Sequence, residues 1–149
     1  MIYSKNKIQG LYLNSLKIIK TDGGEVLQAI KNNEESFVEF GEAYFSTINY
    51  KIVKGWKRHN KMTLNLIVPI GSIKFVIFDN RESQNENGIY FDVILSRKNY
   101  MRLTIPPHVW FAFQGQDRSS NTLLNIASIK HDNSEVDQKE IDEIPYDWK

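Results

Sequence analysis

The sequence has no cysteine, which excludes disulfides, thiolate nucleophiles and thiolate metal ligands, and makes a reducing compartment, the cytoplasm, the expectation. Histidine is almost as scarce. Three in 149 residues, with no two at close spacing, cannot readily supply three imidazole ligands, so no transition metal is expected. Long apolar runs are missing too. The first apolar stretch, Ile8 to Ile19, is broken by Gln9, Asn14 and Lys17 and lacks the continuous core of a signal peptide or membrane span. Nor is there an excess of charge of one sign, because 19 Lys and Arg stand against 18 Asp and Glu. No global field recruits nucleic acid or an anionic membrane, and a charged ligand must be met locally.

Helical periodicity is nearly absent, whereas short runs rich in Val, Ile, Phe, Tyr and Thr recur between turn signals. Strands are predicted near Gly10 to Lys20, Glu25 to Ile30, Val38 to Asn49, Ile52 to Trp56, Met62 to Val68 and Ile73 to Phe78. Four more follow at Tyr90 to Leu95, Met101 to Ile105, Trp110 to Phe113 and Thr122 to Ser128. The punctuation agrees. Asp22-Gly23-Gly24 is a hairpin signal, Pro69 and Gly71 mark a tight connection, and Pro106-Pro107 stops a strand whose next amide cannot donate. Asn80 to Gly88 reads as a polar loop, and His131 to Glu143 as one short helix capped by Asp132 or Asn133. The expectation is a single mostly β domain over residues 1–149, a small barrel or sandwich with a ligand pocket between its strands.

Chemistry-bearing residues concentrate at Lys54-Gly55-Trp56-Lys57-Arg58-His59-Asn60-Lys61. Its cations, indole and imidazole could hold a phosphorylated ligand through charge-assisted hydrogen bonds and stacking, or form a solvated hairpin tip. In Met62 to Val68, alternation sends Leu64, Leu66 and Val68 to one face and Thr63 and Asn65 to the other. Asn65 then either lines a pocket or caps a neighbouring backbone group. Trp110 is either a stacking platform for a base or sugar, or core. His108, after the prolines, and His131, before an acidic run, read as surface. No Gly-rich phosphate loop, no nucleophile elbow and no basic stripe interleaved with aromatics is present.

The order of these motifs resembles the cupin-type sugar-nucleotide isomerases, which include the dTDP-4-dehydrorhamnose 3,5-epimerases and the dTDP-sugar 3,4-ketoisomerases. The match runs from about Gln9 to Trp148. Gly55-Trp56-Lys57-Arg58-His59 looks like the segment carrying the family's active-site histidines, and Gly71 through Asp79-Asn80-Arg81 like the Gly, buried strand and Asp-x-Arg that follow. Leu95-Ser96, Asn99 and Leu103-Thr104-Ile105-Pro106 resemble its leucine-serine, asparagine and isoleucine-proline signature. Pro106-Pro107-His108-Val109-Trp110, Leu124-Asn125-Ile126-Ala127-Ser128 and His131-Asp132 are closer to the ketoisomerase pattern.

The resemblance implies an all-β cupin (jelly-roll) barrel with a short C-terminal helical segment. It also implies a homodimer, with Leu11, Leu13 and Leu16 as apolar pairing surface. The implied activity is metal-independent, cofactor-free proton transfer next to the ketone of a dTDP-, GDP- or CDP-linked 4-keto-deoxysugar, on the way to surface polysaccharide. His59 and Lys57 are the implied catalytic pair, and Tyr44, Arg58, Asn65, Arg102 and Trp110 the implied substrate-binding set. Departures accompany the match: Lys57 stands where the families have a histidine, Phe111 stands where another is found, and the epimerases' late tyrosine falls near Lys130 and His131. The competing expectation is a non-catalytic sugar-nucleotide-binding cupin.

Overall fold

The computed structural model describes residues 8–82 and 87–149. Residues 83–86 of the loop expected over Asn80 to Gly88 lie outside the described residues. The strands are β1 (Tyr12–Ser15), β2 (Ile18–Thr21), β3 (Gly24–Leu27), β4 (Glu42–Thr47), β5 (Val53–His59) and β6 (Leu64–Ile70). They continue with β7 (Ser72–Asp79), β8 (Ile89–Ser96), β9 (Met101–Ile105), β10 (Trp110–Gly115), β11 (Thr122–Ala127) and β12 (Val136–Gln138). Two antiparallel sheets form, ordered β1-β9-β6-β11-β4 and β12-β5-β10-β7-β8, with β2 and β3 as a separate hairpin. This is the all-β, cupin-like architecture expected.

Alternation builds the core. In the first sheet, Leu13 stands beside Leu103 and Leu103 beside Leu66, so one apolar row crosses β1, β9 and β6. In the second, Phe111 stands beside Ile77 and Ile77 beside Phe91. These rows face each other in one buried cluster. Leu11 and Leu13, expected as dimer surface, are 2% and 7% exposed and belong to that cluster. The apolar residues left exposed include Val38, Phe40 and Phe45.

The outer face of the second sheet is covered as well, by the chain's own C-terminal tail. Trp56, Val76, Trp110, Ala112 and Ile144 form a second buried cluster, with Tyr146 and Trp148 packed on it. Tyr90 Oη donates to the Pro145 carbonyl, and Gln114 Nε2 to that of Trp148. Covering both faces explains why Phe75-Val76-Ile77 is buried without alternation.

The strand expected over Val38 to Asn49 is shorter, Glu42–Thr47, and larger differences from expectation follow. The run Gly10 to Lys20 divides into β1 and β2, since β2 leaves the first sheet to pair with β3 through the Asp22-Gly23 turn. The basic stretch is not a hairpin tip: Lys54 to His59 lie inside β5. The segment His131 to Glu143 is not one helix but two single 3-10 turns, Asn133–Glu135 and Ile141–Glu143, flanking β12. Asp132 does cap the first, accepting from the Ser134 amide at 2.9 Å. β12 wins over the helix because it pairs with β5.

Candidate active site

The sheets separate at one end into a cavity of about 460 Å³, within the ordinary size of ligand sites. Its place follows from the rows described above. In the first sheet the row Leu13, Leu103, Leu66 continues to Asn125 on β11 and Tyr44 on β4, so it turns polar at its open end. In the second sheet Phe111 stands beside Lys57, and Lys57 beside Gln138. An apolar floor thus carries a polar, cationic rim.

A bulge in β5 decides which cations reach the cavity. Lys57 pairs with Phe111, yet Ala112 pairs with Gly55, so Trp56 has no opposite number on β10. The extra residue changes the parity of the strand. Lys54, Lys57 and His59 therefore share the cavity face, although strict alternation would set Lys54 apart. Gly55 permits the close approach: its φ is 145°, and a Cβ there would stand 2.4 Å from that of Ala112. Trp56 and Arg58 face outward, where Trp56 Nε1 donates to the Ile141 carbonyl.

His59 is 9% exposed and stacks on Phe111, ring centroids 5.9 Å apart. Its Nδ1 meets Glu135 Oε1 at 2.5 Å. The other oxygen, Oε2, accepts from the amides of Asn60, Lys61 and Met62 at 3.0, 2.9 and 3.2 Å. Burial pushes the Glu135 carboxyl up, but the hydrogen bond from His59, the Lys61 and Met62 amides and the imidazole's charge outweigh it, holding the group below the usual glutamate range. An ionised Glu135 requires a proton on Nδ1. In the neutral ring that proton fixes the tautomer whose Nε2 lone pair is free, and among the described residues Nε2 has no hydrogen-bond partner. Such a nitrogen, at the wall of the cavity, can accept a proton from a bound ligand.

Of the expected site residues, the structure brings Tyr44, Lys57 and His59 together on the cavity. It places four elsewhere. Asn65 is on the outer face of the first sheet, because Leu64 and Leu66 take the inner one; its Oδ1 accepts from Thr104 Oγ1 at 2.6 Å and Arg102 Nε at 3.2 Å. Arg102 lies on that outer face, fully buried, and fastens the 29–36 segment through the Ala29 carbonyl, Glu34 and Ser36. Trp110 sits in the outer aromatic cluster because its neighbour Phe111 takes the inner face. Arg58 stacks on Trp110 at 4.7 Å and bonds Asp137 at 2.7 Å, outside the cavity.

Sequence reasoning missed Glu135, Asn125 and the cavity position of His131. Glu135 is one acid in an acidic run, and nothing local separates it from its neighbours. Asn125 carried a signal, since it shares a strand face with Leu123 and Ala127. His131, expected at the surface, is exposed but lines the rim, with Nε2 at 2.7 Å from Asn133 Oδ1.

The chain is 36% identical to a dTDP sugar isomerase from Desulfovibrio desulfuricans G20, with a TM-score of 0.88 over 95% of this chain and 92% of that one. It belongs to the cupin-type sugar-nucleotide isomerase family. A more distant match to this isomerase-family chain is the sugar 3,4-ketoisomerase QdtA from Thermoanaerobacterium thermosaccharolyticum, solved in complex with TDP. It is 22% identical, with a TM-score of 0.73 over 92% of this chain and 96% of that one, and it shares the fold. Among curated proteins, the spore coat polysaccharide biosynthesis protein SpsL of Bacillus subtilis (strain 168) is 22% identical over 145 residues, 95% of this chain and 96% of that protein. No family model matches the sequence. No helix among the described residues is long and apolar enough to cross a membrane.

Proposed function

We propose that this family member is a metal-independent isomerase of a nucleotide-linked 4-keto-deoxysugar, of the epimerase or 3,4-ketoisomerase type, acting in surface polysaccharide biosynthesis. The observation that carries the reading is the His59–Glu135 pair. A binding module that had lost its chemistry has no use for a buried carboxylate that fixes an imidazole's tautomer toward a cavity. The relatives named above, acting on dTDP sugars or serving polysaccharide biosynthesis, support the substrate class.

In this reading His59 Nε2 takes the proton from a carbon next to the ketone, and the C–H electron pair passes to the carbonyl oxygen as an enolate. The Lys57 ammonium, on the same wall, offsets that negative charge. Delivery of a proton to the same carbon from the opposite face, by solvent or an acid on the facing wall, inverts it, while His59 gives up the first proton to solvent. Returning it instead to the former carbonyl carbon, while the neighbouring hydroxyl gives its proton to the enolate oxygen and becomes the ketone, moves the ketone. Neither outcome changes the overall oxidation state, so no redox cofactor enters the balance.

The test is solvent deuterium exchange into a panel of dTDP-, GDP- and CDP-4-keto sugars. Deuterium next to the ketone is the expected result with at least one of them. Binding of nucleotide sugars without any exchange would establish the non-catalytic alternative, in which Lys57 and Phe111 mark lost machinery.

A further inference from the structure

Among the described residues, three buried side-chain atoms lack a hydrogen-bond partner: Trp110 Nε1, Trp148 Nε1 and Asn125 Oδ1. The two indoles belong to the aromatic cluster outside the second sheet, on the far side from the cavity. Asn125 differs. It is 4% exposed, and its side chain lines the cavity. A buried carbonyl oxygen with no donor is costly, and proteins rarely leave one so.

The neighbours define what the oxygen awaits. Asn125 Nδ2 donates to Tyr44 Oη at 2.8 Å, which anchors one end of the amide and leaves Oδ1 as the open acceptor. Since the Tyr44 oxygen is the acceptor in that bond, its own hydroxyl proton remains available. Register sets Asn125 between Leu66 and Tyr44, at the boundary between apolar floor and polar rim. The facing sheet supplies Lys54, Lys57 and His59 instead. One wall therefore offers a buried acceptor, and the other offers cations.

We infer that Asn125 is a specificity-determining residue whose Oδ1 accepts a hydrogen bond from a ring hydroxyl of the sugar. The inference rests on the nucleotide-sugar reading above and sharpens it: the sugar must carry a donor on the side facing the first sheet. A ketone there would set oxygen against oxygen, so the ketone turns toward Lys57 on the second sheet. Recognition by a buried acceptor penalises the analogue that lacks the donor, because the acceptor is then left unpaired.

Because C4 carries the ketone, calorimetric titration with whichever of dTDP-, GDP- and CDP-glucose the wild type binds, and with its 2- and 3-deoxy and matching fluoro analogues, tests this. For the wild type, one deoxy analogue and its fluoro counterpart are expected to bind about tenfold or more weakly than the parent, because fluorine cannot donate. In Asn125→Leu the parent should fall to the affinity of that analogue, bringing their ratio to about one. Two results overturn the assignment: wild type binding every analogue within about twofold of the parent, which requires no variant to fold, or a folded Asn125→Leu keeping full discrimination. If the folded wild type binds none of dTDP-, GDP- and CDP-glucose, the nucleotide-sugar reading itself falls, and this assignment with it.

Discussion

Two ion pairs with a buried member lie on opposite sides of the first sheet, and they serve different ends. Arg102 is wholly buried, and its guanidinium makes four hydrogen bonds: Nε to Asn65, Nη1 to the Ala29 carbonyl, and Nη2 to both Glu34 and Ser36. His59 is nearly as buried, and its Nδ1 is held as firmly by Glu135, but its Nε2 is unspent and the ring borders a cavity. Burial and charge are common to both. What separates a fastening from a candidate base is a free valence beside empty space.

Removing the central residue of each pair should break the two regions in different ways. His59→Ala should cut isotope exchange by about two to four orders of magnitude while leaving nucleotide-sugar affinity nearly intact. Arg102→Ala should cost about 3–5 kcal/mol in urea unfolding, the usual range for one lost partner of a buried pair, with exchange per folded molecule unchanged. Abolished exchange in a folded Arg102→Ala would end the distinction.

Glu135→Gln probes the support beneath His59. As a positioning residue it should lower kcat about 10- to 100-fold and leave KM unchanged. A rise in KM at constant kcat would show instead that Glu135 serves ligand binding.

Acid provides the mildest contrast. Glu135 is held below its ordinary range as described, and Glu34 likewise: burial raises it, but Arg102 and the Lys31 amide prevail. Groups depressed in the folded state stabilise it fully above the unfolded glutamate value, about 4.3, and that contribution is lost as pH falls through the folded values. Urea midpoints should stay level from neutrality to about pH 5 and then decline. Glu135, whose side chain is 1% exposed against 30% for Glu34, should carry the larger share, so Glu135→Gln should flatten the curve more than Glu34→Gln. An increase in stability on acidification would reverse the sign and refute the assignment.

Much of this architecture was legible in the chain itself. Met101 to Ile105 is a strand, and Pro106 ends it because proline has no amide to donate. Leu64, Leu66 and Val68 share a face, and Asp22-Gly23 closes the β2–β3 hairpin. The motif order was sufficient to read the family, and His59, Lys57 and Tyr44 do meet at one cavity.

Other features depended on contacts that no local pattern encodes. A period of two says which residues share a face but not which face turns inward. Asn65, Arg102 and Trp110 are therefore as buried as the cavity residues, yet point the other way. Trp110 is buried because the tail from Ile144 to Trp148 covers it, and the cavity cations align because one bulge shifts β5 against β10. Glu135 reaches His59 from 76 residues away, through the pairing of β12 with β5. Composition and alternation act along the chain and determined its strands; the direction of each side chain, and the partner it meets, were decided by packing between segments far apart in sequence.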